Sequence, residues 1–221
     1  MFTGIIQAVG KVASVELRGG DLRVTLGTGD LDVTDVVLGD SIAVNGVCLT
    51  VVELNDEGFV ADASVETMAL TTVGQWQAGT RLNFEKSLTP STRLGGHLVS
   101  GHVDGIGEIV ERYPDARSER FRIKVPAELA RYIAHKGSIT VDGTSLTVNK
   151  VAGAEFELNI VPHTLVHTIF GDYQPGAKVN IEVDVIARYL ERLLLGDKHS
   201  GDKDGDTALT ELARSLIETK S

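Results

Sequence analysis

Gly39 to Glu53 reads GDSIAVNGVCLTVVE and Lys136 to Lys150 reads KGSITVDGTSLTVNK; at an offset of 97 residues, without a gap, seven of the fifteen positions are identical. The same offset lays Gly4 on Gly101, Gly10 on Gly107, Thr67 on Thr164, Thr71 on Thr168, Gly74 on Gly171 and Gly79 on Gly176. A single register over that length identifies an internal duplication, and a repeat fixes the architecture before any motif is interpreted. Glycines that recur at matching positions mark turns of positive φ or close backbone approach, so the two copies share geometry as well as composition.

Within each copy the apolar segments are short, β-branched and broken by turn residues. Ser41-Ile42-Ala43-Val44 and Leu49-Thr50-Val51-Val52 flank Asn45-Gly46, a hairpin signal, and the second copy uses Asp142-Gly143. Such hairpins with little helical periodicity predict a small closed barrel in each half, because closure removes exposed sheet edges. Ser87 to Leu94, with Pro90 and several hydroxyl residues, reads as the connector. Ile186, Tyr189, Leu190, Leu193 and Leu194 form one apolar stripe of a helix after the second barrel, which requires a partner on its own barrel or on another copy. Gly196 to Asp206 reads as a mobile linker before a weakly helical Thr207 to Thr219.

The composition narrows the function classes. Of 221 residues, 42% are hydrophobic, 24% charged and only 5% aromatic, as in a globular, strand-rich protein. A formal charge of −10 disfavours nucleic acid and anionic membranes as partners. Cys48 is the only cysteine, which excludes an intrachain disulfide and a cysteine-based zinc site. Neither a secretory signal nor an apolar run of eighteen residues is present, so a cytoplasmic protein is expected.

Differences between the copies are informative against their general similarity. Cys48 faces Ser145 and Asn45 faces Asp142, so two similar pockets are differently equipped. Cys48 reads either as a nucleophile or as an inert small hydrophobe, and Ser145 as a ligand contact or a turn-closing hydroxyl. His97 and His102 flank the start of the second copy and suit proton transfer near neutral pH or a structural role. His163 and His167 lie four apart, as paired metal ligands do, but no glutamate stands between them, and no metal is expected. The glycines near His97 fit neither phosphate-binding fingerprint. The residues alone point to small-molecule binding by a duplicated barrel.

Four segments in order, Met1-Phe2-Thr3-Gly4-Ile5-Ile6, Asn45-Gly46-Val47-Cys48-Leu49-Thr50, Gly95-Gly96-His97-Leu98-Val99-Ser100-Gly101-His102-Val103-Asp104-Gly105 and Asp142-Gly143-Thr144-Ser145-Leu146-Thr147, resemble the riboflavin synthase family, over residues 1 to about 195. The resemblance implies an all-β fold of two similar six-stranded Greek-key β-barrels in tandem, residues 1–92 and 93–186, a C-terminal trimerisation helix over 187–196 and a mobile tail over 197–221. It implies a cofactor-free dismutation in which one 6,7-dimethyl-8-ribityllumazine passes a four-carbon unit to another, giving riboflavin and 5-amino-6-ribitylaminopyrimidinedione in the last step of riboflavin biosynthesis. A homotrimer is implied, with the active site between the N-barrel of one chain and the C-barrel of its neighbour, and lumazine synthase as a further partner.

Carried over by position, the resemblance places Gly4, Ile5, Ile6, Cys48, Leu49, Thr50, Asp62, Ala63, Ser64, Val65, Glu66 and Thr67 at the N-barrel site. Gly101, His102, Val103, Lys136, Ser145, Leu146, Thr147, Asn159, Ile160, Val161, Pro162, His163 and Thr164 go to the C-barrel site. Cys48, His102, Ser145 and Thr147 are the catalytic candidates, with His102 as proton shuttle and Cys48, Ser145 or water as nucleophile toward the second ring. One departure is that Asp62-Ala63-Ser64-Val65-Glu66-Thr67 lacks the proline kept in Val161-Pro162-His163-Thr164. The competing readings are a non-catalytic lumazine or flavin antenna and a protein-interaction module.

Overall fold

The computed structural model describes residues 1–195, and the duplication is visible in it strand by strand. The first half comprises β1 (Ala8–Arg18), β2 (Asp21–Gly27), β3 (Ser41–Val44), β4 (Val47–Thr50), β5 (Glu53–Asn55), β6 (Gly58–Ala63), helix α1 (Val65–Leu70) and β7 (Arg81–Lys86). The second comprises β8 (Gly105–Asp115), β9 (Ser118–Lys124), β10 (Ser138–Val141), β11 (Thr144–Ala152), β12 (Glu155–Ile160), α2 (Pro162–His167) and β13 (Lys178–Val183). Both lie in one compact unit, residues 1–184; helix α3 (Val185–Leu195) belongs to a second unit. The expectations for residues 196–221 lie outside the described residues.

The second half is a closed six-stranded barrel, ordered β10-β11-β12-β9-β8-β13. Strand β9 lies beside β12 rather than β10, which is Greek-key connectivity. The first half runs β4-β3-β7-β1-β2-β6-β5 and counts seven strands, because two short strands stand where the second half has the single long β11. Strands β4 and β5 occupy the ends of this sheet but are separated in the chain only by Val51 and Val52, so the backbone itself joins the two edges.

Each half has its own apolar interior. Leu26, Phe59, Leu82 and Phe84 are fully buried in one, and Ile109, Phe121, Phe156 and Ile181 in the other. The edge-to-face pairs Phe59–Phe84 and Phe121–Phe170 have ring centroids 6.3 and 5.4 Å apart. Irregularities repeat too: β1 bulges between Val12 and Ser14 and β8 between Ile109 and Glu111, the same positions at the offset of 97. The missing proline is compensated locally, since Ser64 caps α1 by accepting the Thr67 N–H at 3.2 Å, whereas α2 opens on Pro162 without a side-chain cap.

The two halves meet through their hairpin turns. Asn45-Gly46 and Asp142-Gly143 have positive φ at both central residues, the geometry that matches strand twist in a two-residue turn. A Cβ on Gly46 would come within 2.7 Å of Gly143 N, and one on Gly143 within 2.8 Å of Gly46 N. Asn83 on β7 accepts the Ile169 N–H and donates to the Asp142 carbonyl, both at 2.9 Å. Asn180 on β13 accepts the Thr72 N–H at 2.7 Å and donates to the Asn45 carbonyl at 2.9 Å. Asn83 and Asn180 are themselves 97 residues apart, so the junction has a local two-fold relation.

Candidate functional site

The same two-fold relation exchanges two segments between the halves. Phe2 and Val99 pair antiparallel through N–H to carbonyl bonds of 2.7 and 3.1 Å, which carries residues 1–5 toward the second half and residues 97–101 toward the first. The Gly4 carbonyl accepts the Ser145 N–H at 2.7 Å, and the Gly101 carbonyl accepts the Cys48 N–H at 2.9 Å. Gly4 and Gly101 have φ of +76° and +80°, and a Cβ on either would press within 2.5 Å of Ser145 Cβ or 2.7 Å of Cys48 Cβ. Only glycine combines that backbone with that approach.

Two buried carboxylates hold the exchanged segments in place. Glu85 accepts the Thr3 N–H at 2.7 Å, the Thr3 hydroxyl at 2.6 Å and the Gly4 N–H at 2.9 Å. Glu182 accepts the Ser100 N–H at 2.6 Å, the Ser100 hydroxyl at 2.7 Å and the Gly101 N–H at 2.9 Å. Burial pushes both carboxyls above the ordinary range, opposed by the hydrogen bonds that favour the charged form. Neither residue was singled out in the sequence. The recurrence of Asn83-Phe84-Glu85 as Asn180-Ile181-Glu182 was the available signal.

The first half contains an open cavity of about 240 Å³ lined by Val47, Cys48, Glu66, Thr67, Leu70, Thr71, Gly101, His102 and Val103. This corrects the division of residues made from sequence: Gly101, His102 and Val103 stand with Cys48, whereas Gly4 stands with Ser145. The Phe2–Val99 pairing is the physical reason. Of the catalytic candidates, Cys48 and His102 are therefore brought together, while Ser145 and Thr147 lie on β11 of the other half.

Residues expected beside them divide by environment. In the first half Leu49 and Ala63 are buried in the core, and Thr50 and Val65 are exposed. Asp62 is engaged by Arg23 through bonds of 2.8 and 2.9 Å, and this partner holds its carboxyl below the ordinary range. Ser64 is occupied with its cap, and Ile5 is exposed and Ile6 partly so.

In the second half Ile160 is core, Leu146 packs partly against it, and Lys136, Thr147, Asn159, Val161, Pro162 and His163 are exposed. Thr164 is half-buried and its carbonyl accepts the Thr168 hydroxyl at 2.7 Å. The rings of His163 and His167 stack at 4.0 Å, and His167 Nδ1 lies 2.9 Å from the His163 carbonyl oxygen. Among the described residues no three His, Cys, Asp or Glu side chains are placed to hold a metal.

At the second hairpin His97 Nδ1 lies 2.7 Å from Ser145 Oγ and its Nε2 lies 3.2 Å from Thr140 Oγ1. The ring is half-buried and desolvation lowers its pKa, partly offset by the charge of Asp184. Asp142 is fully buried: it accepts the Asn180 N–H at 2.9 Å and the Tyr173 hydroxyl, and burial pushes its carboxyl up to about 7.

A family model described as the lumazine binding domain matches residues 3–87 and 100–184, two copies whose ends are each 97 residues apart. The chain belongs to the lumazine-binding domain family. Within this family it is 50% identical over 215 residues to a riboflavin synthase of Photobacterium phosphoreum, covering 97% of this chain and 98% of that one. A riboflavin synthase of Mycobacterium tuberculosis is 47% identical over 199 residues, covering 88% and 98% respectively. The crystal structure of LumP complexed with riboflavin superimposes with a TM-score of 0.77 at 22% identity, over 83% of this chain and 99% of that one. The lumazine-binding fold found there is the tandem barrel described above.

Proposed function

We propose that the chain is a riboflavin synthase that joins two molecules of 6,7-dimethyl-8-ribityllumazine by four-carbon transfer. The observation that carries this reading is the pair of related but differently equipped turn environments, Cys48 with Gly101 and His102 in one and Ser145 with Gly4 and His97 in the other. A dismutation needs two binding places for one compound that treat it differently, and a duplicated barrel with diverged side chains supplies them. Identity of 50% and 47% to two riboflavin synthases, over 97% and 88% of this chain, supports the same chemistry.

In the first pocket Glu66, Thr67 and the backbone of Gly101 to Val103 offer polar contacts, with Cys48 and His102 at the reacting ring. In the second, Ser145, Thr147 and His163 hold the corresponding positions, together with Thr144, whose buried hydroxyl has no hydrogen-bond partner among the described residues. The first cavity, about 240 Å³, falls short of the roughly 300–1,000 Å³ that encloses such a ligand, so a bound ring leaves one face open to a second ring. Stacking two rings there contributes through proximity.

We place that second ring on a neighbouring copy, in a cytoplasmic homotrimer. Ile186, Tyr189, Leu190, Leu193 and Leu194 of α3 are exposed, and trimerisation through this helix would bury them. Co-purification would test lumazine synthase as a further partner. The decisive experiment is incubation of the protein with 6,7-dimethyl-8-ribityllumazine while riboflavin absorbance is followed. Turnover is expected; binding without turnover would replace the enzyme by an antenna protein, and no binding would end both readings.

A further inference from the structure

Ser145 and Cys48 occupy equivalent turns, but their surroundings are not equivalent. Ser145 Oγ lies 2.7 Å from His97 Nδ1, and the far side of that ring is 3.2 Å from Thr140 Oγ1 on β10. In the first half the position of Thr140 is held by Ala43, which has no hydroxyl to orient a ring, and Cys48 packs instead against an apolar cluster of Phe2, Ala43 and Val99. Gly96 closes the second arrangement from above: a Cβ there would meet Ser145 Oγ at 2.8 Å and the Thr3 carbonyl oxygen at 2.1 Å, so the loop carrying His97 is pressed onto the serine.

Resting on the proposed lumazine chemistry, we propose that His97 is the positioning residue of the second pocket, taking Ser145 as hydrogen-bond donor and making its hydroxyl the nucleophile that this half supplies. This role requires one tautomer. If Ser145 donates to Nδ1, the ring carries its hydrogen on Nε2 and donates it to Thr140 Oγ1, whose own strand holds it still. The half-buried ring is kept neutral by desolvation, the form that accepts a proton.

The step balances without another reagent. As Ser145 Oγ bonds to an electrophilic carbon of the lumazine ring, one π bond of that carbon breaks and its electron pair moves into the heterocycle, while the hydroxyl proton passes to His97 Nδ1. Reversal returns the proton to Oγ as the C–O bond breaks and the π bond re-forms. His97 acts through Ser145 and does not touch the ring. The nucleophile, its base and a third group orienting the base form the arrangement that activates a hydroxyl elsewhere.

The test is a double-mutant cycle on the full-length protein with 6,7-dimethyl-8-ribityllumazine, using H97Q, S145A and H97Q/S145A. Glutamine keeps a hydrogen-bonding side chain but cannot take the proton. Each single variant is expected to lose about 10²–10⁴-fold in kcat, with KM and lumazine Kd within about threefold of wild type, and the double variant to fall no further than S145A. T140V, which removes the anchor behind the ring without approaching the pocket, is expected to lose roughly tenfold in kcat at unchanged Kd. Losses that multiply in the double variant, or losses in Kd that match those in kcat, overturn the inference and leave the enzyme reading intact. Absence of turnover in the wild type overturns both.

Discussion

Asn83 and Asn180 reach across the junction in opposite directions, each accepting a backbone N–H from the far half and donating to the carbonyl of the far hairpin turn. Four otherwise isolated buried backbone groups are satisfied by two side chains. Asn83→Ala or Asn180→Ala leaves two of them without a partner, and each unsatisfied group costs about 1–3 kcal/mol. Urea unfolding should show a loss of roughly 2–5 kcal/mol for either variant. A change below about 0.5 kcal/mol would mean that the junction contributes little to folding.

The contact between the two turns makes a second prediction. Gly46→Ala meets Gly143 N at 2.7 Å as well as the strain of φ +76°, whereas Gly79→Ala has φ +90° and nothing within 4 Å. Gly79→Ala should therefore cost about 1–2 kcal/mol from backbone strain alone, and Gly46→Ala several times as much. Equal thermal shifts for the two variants would show that the turns can separate without penalty.

Asp142 supplies a pH dependence with a defined sign. Its folded carboxyl is pushed up to about 7, well above the ordinary carboxylate range, so near neutrality the folded chain holds a proton that the unfolded chain has released. That contribution to stability is fully present below the unfolded value and is lost as pH rises through about 7. Asp142→Asn restores the residue type of Asn45, whose Oδ1 accepts the Asn83 N–H at 2.7 Å, and removes the titration. Unfolding free energy measured at two pH values on either side of neutrality should fall less in Asp142→Asn than in the wild type. Parallel curves would remove Asp142 from the titration.

Glu182 serves the first pocket only indirectly, by clamping Ser100 and Gly101 beneath Cys48. Glu182→Ala should weaken lumazine binding at that pocket roughly tenfold or more, since about 1.4 kcal/mol is tenfold and three hydrogen bonds are lost. Calorimetry checks this. Cys48→Ser, which keeps the fold of the turn, should lower turnover more than lumazine binding, and equal losses would remove Cys48 from the chemistry.

Much of the architecture is legible in the chain itself. The duplication predicted two barrels of one topology, and Asn45-Gly46 and Asp142-Gly143 predicted the hairpins that Val44 opposite Val47 and Val141 opposite Thr144 now show. These features are local: turn type follows from residues that can adopt positive φ, and strands from β-branched alternation. The division of β11 into β4 and β5 in the first half was not legible, because no residue at Val51 or Val52 breaks a strand on its own.

The sequence by itself determined that this protein is one barrel written twice, with a thiol in one copy where the other has a hydroxyl. The tertiary structure alone decided which segments complete which pocket. Phe2 pairs with Val99, so Gly4 reaches Ser145 and Gly101 reaches Cys48, and His97 meets a serine 48 residues away. Periodicity encodes only which face a residue presents to its neighbours along the chain. Partners this distant are selected by the packing of two closed surfaces against each other, and that selection leaves no local mark.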